Sequence, residues 1–211
     1  MLVSSLIIAI AIFLLGFYLG YFLDNYRVDD ATNILVKAEL DSEAFVTSQD
    51  FYRIFSKQDC DFSASKLEDV GKQLAYMGQI LTKYDANKLS HKQSYNNLKR
   101  KYFISELNFY NMKKEHDNKC GIGLPILLFF YNTKNNGESL RGGYVLDILV
   151  NKNNISVLSF DKDFDDYAVI SLVKFYNITY APTLIVNYNK KLEGFTSEAE
   201  LRGILYEEKN K

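Results

Sequence analysis

With 211 residues and 25 Lys and Arg against 26 Asp and Glu, the chain has room for one full domain plus extra elements, or for two small domains. The net charge of -1 lacks the cationic excess that a nucleic-acid partner needs. The two cysteines, Cys60 and Cys120, stand too far apart for a CxxC motif and are too few for a four-cysteine zinc site.

The first element is an apolar run. From Leu2 to Leu23 no charged residue occurs, and Leu, Ile, Phe and Ala dominate. As a helix those 22 residues would measure about 33 Å, enough to cross a hydrocarbon core of about 30 Å. A cleaved signal peptide would have a basic start and a shorter core. The uncharged residues that continue beyond Ala9-Ile10-Ala11 favour an uncleaved signal-anchor. Tyr18, Tyr21, Phe22 and Tyr26 cluster at the far end, where amphipathic rings suit the headgroup layer. Gly16 and Gly20 form a GxxxG pair that could pack two such helices into a homodimer. Only the α-amino group precedes the helix, while Asp24, Arg27, Asp29 and Asp30 follow it, so the positive-inside rule discriminates little. A short N-terminus ahead of a long C-terminal region is expected to leave the N-terminus cytoplasmic and the rest of this single-pass cell-membrane protein outside.

Residues 24–120 read as helical, with no proline and two glycines between Asp29 and Lys119. Leu67, Val70, Leu74, Met77, Leu81 and Tyr84 recur at the 3-4-3-4-3 spacing of a coiled-coil seam. Tyr95, Leu98, Tyr102, Phe109 and Met112 form a second run, with Ser105 filling one seam position. Ala31, Ile34, Ala38, Phe45, Tyr52 and Phe55 suggest an earlier helix. Asp85 to Ser90 is turn-rich, and Ser90 can cap the helix that follows. The expected object is a helical hairpin, a further candidate for dimer contacts. Cys60 precedes its first helix and Cys120 follows its second, so an antiparallel arrangement returns the two together. A disulfide is sterically allowed, and an oxidising compartment would permit it. Two unpaired structural cysteines are the alternative.

After Leu124 strands and helices alternate. Strands are expected over Pro125–Tyr131, Ile155–Phe160, Pro182–Tyr188 and Lys191–Phe195. Helices are expected over Ser139–Val150 and Ala168–Tyr176, and a last helix opens at the capping box Ser197-Glu198-Ala199-Glu200 and runs to about Tyr206. A turn is expected at Asn189-Lys190.

This β-α-β-α-β-β-α order resembles the thioredoxin superfamily over roughly residues 123–208. The apolar Ile126–Tyr131 looks like the strand leading into the family's active site, and Gly143–Asp147 falls in its first helix. Val157–Asp161 looks like its second core strand, and Tyr176–Val186 is similar to the segment around its cis-proline. Gly194 stands where the family has a glycine in its final strand. The resemblance implies an α/β thioredoxin-like domain at 121–211, behind a transmembrane anchor at 1–23 and a hairpin at 24–120. Within it the two family cysteines fall on Asn136 and Ser139, the buried acid on Phe130, and the tryptophan before the first cysteine on Asn135. An amide and a hydroxyl cannot supply the thiolate that disulfide exchange requires. What remains is a peptide-facing loop, Tyr180-Ala181-Pro182-Thr183, opposite Asn136 to Ser139, whose backbone can pair with an extended segment without any sulfur.

Other constellations point elsewhere. Asp161, Asp163, Asp165 and Asp166 lack the spaced Gly and Glu of an EF-hand loop and fit a strand-to-helix connection. His91 and His116 fall on polar helix positions, and Gly121-Ile122-Gly123 has no preceding strand. No motif calls for a cofactor or a metal. The reading that follows is a membrane-anchored, redox-inactive thioredoxin-like module that binds a protein or peptide outside the cytoplasm. A thiol-disulfide oxidoreductase that cycles Cys60 and Cys120 is the alternative, and a purely structural stalk the third.

Overall fold

The computed structural model describes residues 6–21, 60–86, 93–121, 123–134, 137–152 and 155–209, with scattered positions between 36 and 47. Residues 6–21 form a helix, α1, whose Leu, Ile and Phe side chains are all exposed. Among the described residues no helix is long and apolar enough to cross a membrane. Residues 2–5 and 22–23, which complete the expected span, lie outside the described residues, as does most of the expected helix through Ala31 to Phe55.

Helices α2 (Cys60–Ala86) and α3 (Gln93–Cys120) make the expected hairpin, and its connection around Ser90 lies outside the described residues. Leu67, Val70, Leu74, Met77 and Leu81 are buried against Leu98, Tyr102, Ser105, Phe109 and Met112, which is the seam that the spacing predicts. One glycine lets the helices approach: a Cβ on Gly78 would stand 2.8 Å from the Tyr102 hydroxyl, whereas one on Gly71 would meet the Phe109 ring at an ordinary contact distance of 3.5 Å. At the open end Cys60 and Cys120 form a disulfide, with their Cα atoms 5.8 Å apart.

The rest is a mixed α/β layer of β1 (Ile126–Tyr131), α4 (Gly137–Lys152), β2 (Ser156–Asp161), α5 (Tyr167–Phe175), β3 (Thr183–Val186), β4 (Lys190–Glu193) and α6 (Glu198–Lys209). The sheet order is β2-β1-β3-β4. β1 and β2 are parallel through the α4 crossover, and the other pairs are antiparallel. Asp166 caps α5 by accepting from the Ala168 N–H at 2.9 Å, and Ser197 caps α6 by accepting from the Glu200 N–H at 3.3 Å. Strand β3 ends at Val186, earlier than expected, because Asn187 and Tyr188 both take left-handed backbone angles and turn the chain there; Lys190 already belongs to β4.

Alternation along β1 sorts its side chains into two layers. Leu127 and Phe129 face α4 and α6 with Leu146, Leu149, Leu201 and Ile204. Ile126, Leu128 and Phe130 face the other way and join Leu158, Phe160, Val169 and Leu172 in one core with the hairpin seam. The hairpin and the sheet therefore share a hydrophobic core across residue 121, where sequence composition marks a change.

Helix α3 also covers the edge of the sheet. Ser156 and Lys162 direct their N–H groups to β1, so the Ser159 N–H points outward from edge strand β2, and the Glu106 carboxylate oxygen Oε1 accepts it at 3.0 Å. An unpaired edge is a template for aggregation, and covering it with a helix removes that hazard. The opposite edge, β4, carries Lys190, Lys191 and Glu193 instead.

Candidate functional site

The loop at the C-terminal end of β1, the start of α4 and the segment before β3 converge. Ala181–Pro182 is cis, and Pro182 is buried while Ala181 is half-buried and Tyr180 exposed. The Tyr180 hydroxyl donates to Glu138 Oε2 at 3.1 Å, which ties this loop to the first turn of α4. That hydrogen bond holds the phenol above its ordinary range. Thr183 is buried, and its hydroxyl donates to the Tyr180 carbonyl at 2.8 Å. Gly142 permits the close approach: a Cβ there would lie 3.2 Å from the Phe129 ring and 3.9 Å from Pro182 Cβ.

Ser139 sits in this junction, buried, its hydroxyl donating to Asn132 Oδ1 and accepting from the Asn132 N–H, both at 3.3 Å. It is a strut between β1 and α4. Asn136 lies outside the described residues. Phe130, at the position where the resemblance would put an acid, is fully buried and stacked on Phe160 with centroids 5.9 Å apart. No thiol is available here, since both cysteines of the chain are joined ahead of β1, at the other end of the strand. Leu140, Tyr144 and Ile148, at successive four-residue steps along α4, are exposed and extend an apolar stripe away from Ser139.

A polar seam between α3 and the sheet is the second concentration of chemistry. Lys99 donates to Asp161 Oδ2 at 2.9 Å with both side chains buried, and its ammonium lies 5.4 to 5.8 Å from the rings of Phe103, Tyr131 and Phe164. Arg100 pairs with Asp166 at 2.6 Å. Lys113 bonds Asp117, whose Oδ2 accepts from the Tyr188 hydroxyl at 2.7 Å. Asp161, Asp166 and Asp163, expected in a solvated loop, are thus largely engaged: the first two with α3, Asp163 with Lys162 at 2.6 Å. Glu106 is fully buried; Oε1 also accepts from the Tyr102 hydroxyl at 2.7 Å, and Oε2 has no hydrogen-bond partner among the described residues. Burial pushes its carboxyl up to about 8 despite these two donors.

His116 corrects the expectation of a polar, outward position. It is buried against α2, with Nδ1 2.6 Å from the Ser63 hydroxyl, and burial lowers its pKa. His91 lies outside the described residues. Glu106, Gly142 and the Glu138–Tyr180 tie escape sequence reasoning, because each is defined by a partner remote in the chain. The one available signal was Glu106 itself, an acid adjoining the seam position Ser105.

No protein-family model matches the chain, and no curated protein matches it. Among solved structures it is similar to a malarial protein, at 22% identity and a TM-score of 0.35, over 40% of this chain and 97% of that one. It is also similar to chloroplastic thioredoxin z, at 16% identity and a TM-score of 0.38, over 47% of this chain and 90% of that one. Deadhead, the germline-specific thioredoxin of Drosophila melanogaster, gives 23% identity and a TM-score of 0.36, over 48% and 92%.

Proposed function

We propose that this chain is a membrane-anchored, thioredoxin-like module without thiol chemistry, whose Pro182 loop and α4 start bind an extended segment of a protein partner outside the cytoplasm. The observation that carries the reading is Ser139, buried and hydrogen-bonded to Asn132 where the resemblance would place a cysteine, directly beside the Tyr180–Thr183 loop. A recognition surface survives while the reactive sulfur is absent. The stripe of Leu140, Tyr144 and Ile148 supports a macromolecular partner, because contiguous exposed apolar surface marks an interaction site. The apolar run from Leu2 to Leu23 supports the anchor.

Two measurements test this reading. A photocrosslinking residue at Tyr144 or Tyr180 in the full chain in its native membrane should capture one discrete partner, whereas the same residue at Tyr206, exposed on α6, should not. Equal capture at all three positions refutes the site. The full chain should also be inert in an insulin-reduction assay, and Asn136→Cys with Ser139→Cys should gain activity.

A second reading has one observation in its favour. Cys60 and Cys120 are only half-buried, and Cys60 begins a helix of 27 residues, whose dipole favours a thiolate there. A disulfide cycling in an oxidoreductase should have a reduction potential well above about -300 mV, and a structural one should lie below it.

A further inference from the structure

Away from Pro182, where the β3–β4 turn meets the start of β1 and the Asn187 N–H donates to the Ile126 carbonyl, α3 and α5 enclose a cleft of about 450 Å³. Leu107 and Tyr110 line it from α3, Leu172 and Phe175 from α5, and Tyr176 and Tyr188 contribute rings. That volume suits a small molecule and falls short of a helix.

The cleft is held open by rigid parts. The Tyr188 backbone sits at φ 72°, a left-handed conformation unfavourable for a residue with a side chain. It is fixed there by the hydroxyl bond to Asp117 and by packing on the Tyr110 ring, with centroids 5.2 Å apart. Tyr110 in turn shares a hydroxyl contact with Tyr176. Burial raises the Tyr110 and Tyr188 phenols, so both stay uncharged. Beside the cleft Phe175 is 79% exposed although its ring meets Tyr176 edge-on, which leaves an aromatic wall facing water.

The charge in the cleft has one sign. Among its described lining residues Lys114 is the charged one, and no carboxylate is present. The Lys114 ammonium lies 4.1 Å from the Tyr188 ring centroid, half-buried, where a ligand anion could reach it. Asn111, Ser171 and Asn189 add uncharged polar groups.

We propose that this cleft binds a small aromatic anion, with its ring between Tyr188 and Phe175 and its carboxylate or other acid on Lys114. The site is separate from the Pro182 surface and does not depend on it. Naphthalene carboxylate is a suitable probe and its uncharged carboxamide the control, titrated by equilibrium dialysis against the full chain in neutral lipid discs, with empty discs as the blank. The carboxylate should bind saturably, and the carboxamide about tenfold more weakly, the worth of one charge-assisted contact. Lys114→Gln should weaken the carboxylate by a similar factor and leave the carboxamide unchanged, and Ser171→Trp should fill the cleft and abolish both. Any of three results overturns the proposal: no saturable carboxylate binding at millimolar concentration, equal affinity for the two probes, or binding that survives Ser171→Trp.

Discussion

A carboxyl buried among apolar groups keeps its proton unless a cation or several donors compensate the charge. Glu106 has two donors on one oxygen and, among the described residues, none on the other, and its folded pKa is pushed up to about 8 from an ordinary 4.5. Between those values the folded chain holds a proton that the unfolded chain has lost. The contribution of Glu106 to stability is therefore greatest below pH 4.5 and falls as pH rises, with the cost complete above about 8. Urea denaturation of wild type and Glu106→Gln at about pH 5 and about pH 9 should show a smaller loss in the variant, since a glutamine keeps the acceptor for Tyr102 and Ser159 and cannot ionise. The same loss in both proteins would sink this account. The stripe to which Glu106 belongs also shows why the seam was only half legible. On α3 the hydrophobic positions announce α2, but Lys99, Glu106, Lys113 and Asp117 are buried without any apolar signal in the sequence. Their burial depends on Asp161, Ser159 and Tyr188, which lie 53 to 71 residues further along the chain.

Among the elements, the hairpin was legible because each helix carries its own apolar period, and the pairing of Cys60 with Cys120 follows from its antiparallel geometry. Strand β3 was misjudged in length because apolarity continues to Tyr188 while the backbone turns at Asn187; a left-handed tyrosine leaves no compositional trace. The disulfide closes a sequence separation of 60, and chain entropy assigns such a closure about 4 kcal/mol, an upper-end value because the reduced chain retains structure. Cys60→Ser with Cys120→Ser should lower stability by up to that amount without changing the fold. Circular dichroism with urea titration would reveal it, and peptide mapping of non-reduced, alkylated protein should recover the linked pair. Two freely alkylated thiols would refute the bond, and an unchanged midpoint would remove its structural role.

For the whole molecule, the sequence suggests three consecutive segments, whereas the fold distributes one core over two of them. The face of the sheet carrying Leu128, Phe130, Leu158 and Phe160 is buried in the same cluster as Phe103 and Tyr110 of α3. Lys99 neutralises Asp161, and Glu106 occupies the outward N–H of edge strand β2. A chain beginning at residue 121 would lose all three, exposing apolar rings and the β2 edge to water and leaving Asp161 without its ammonium partner. Residues 121–211 should accordingly show no cooperative unfolding transition and should bind a hydrophobic dye, whereas residues 60–211 should unfold in one transition. Coincident traces from far-ultraviolet dichroism and tyrosine fluorescence would establish the single transition in the longer chain. Cooperative unfolding of the shorter chain, at a stability within about 1 kcal/mol of the longer one, would show that the hairpin is an appendage. The Glu106 titration depends on the same junction, because its carboxyl is desolvated only while α3 lies on β2. Residues 60–211 keep that junction, so their loss of stability between about pH 5 and about pH 9 should match that of the full chain, and a clearly smaller loss would show that the junction needs the residues ahead of Cys60.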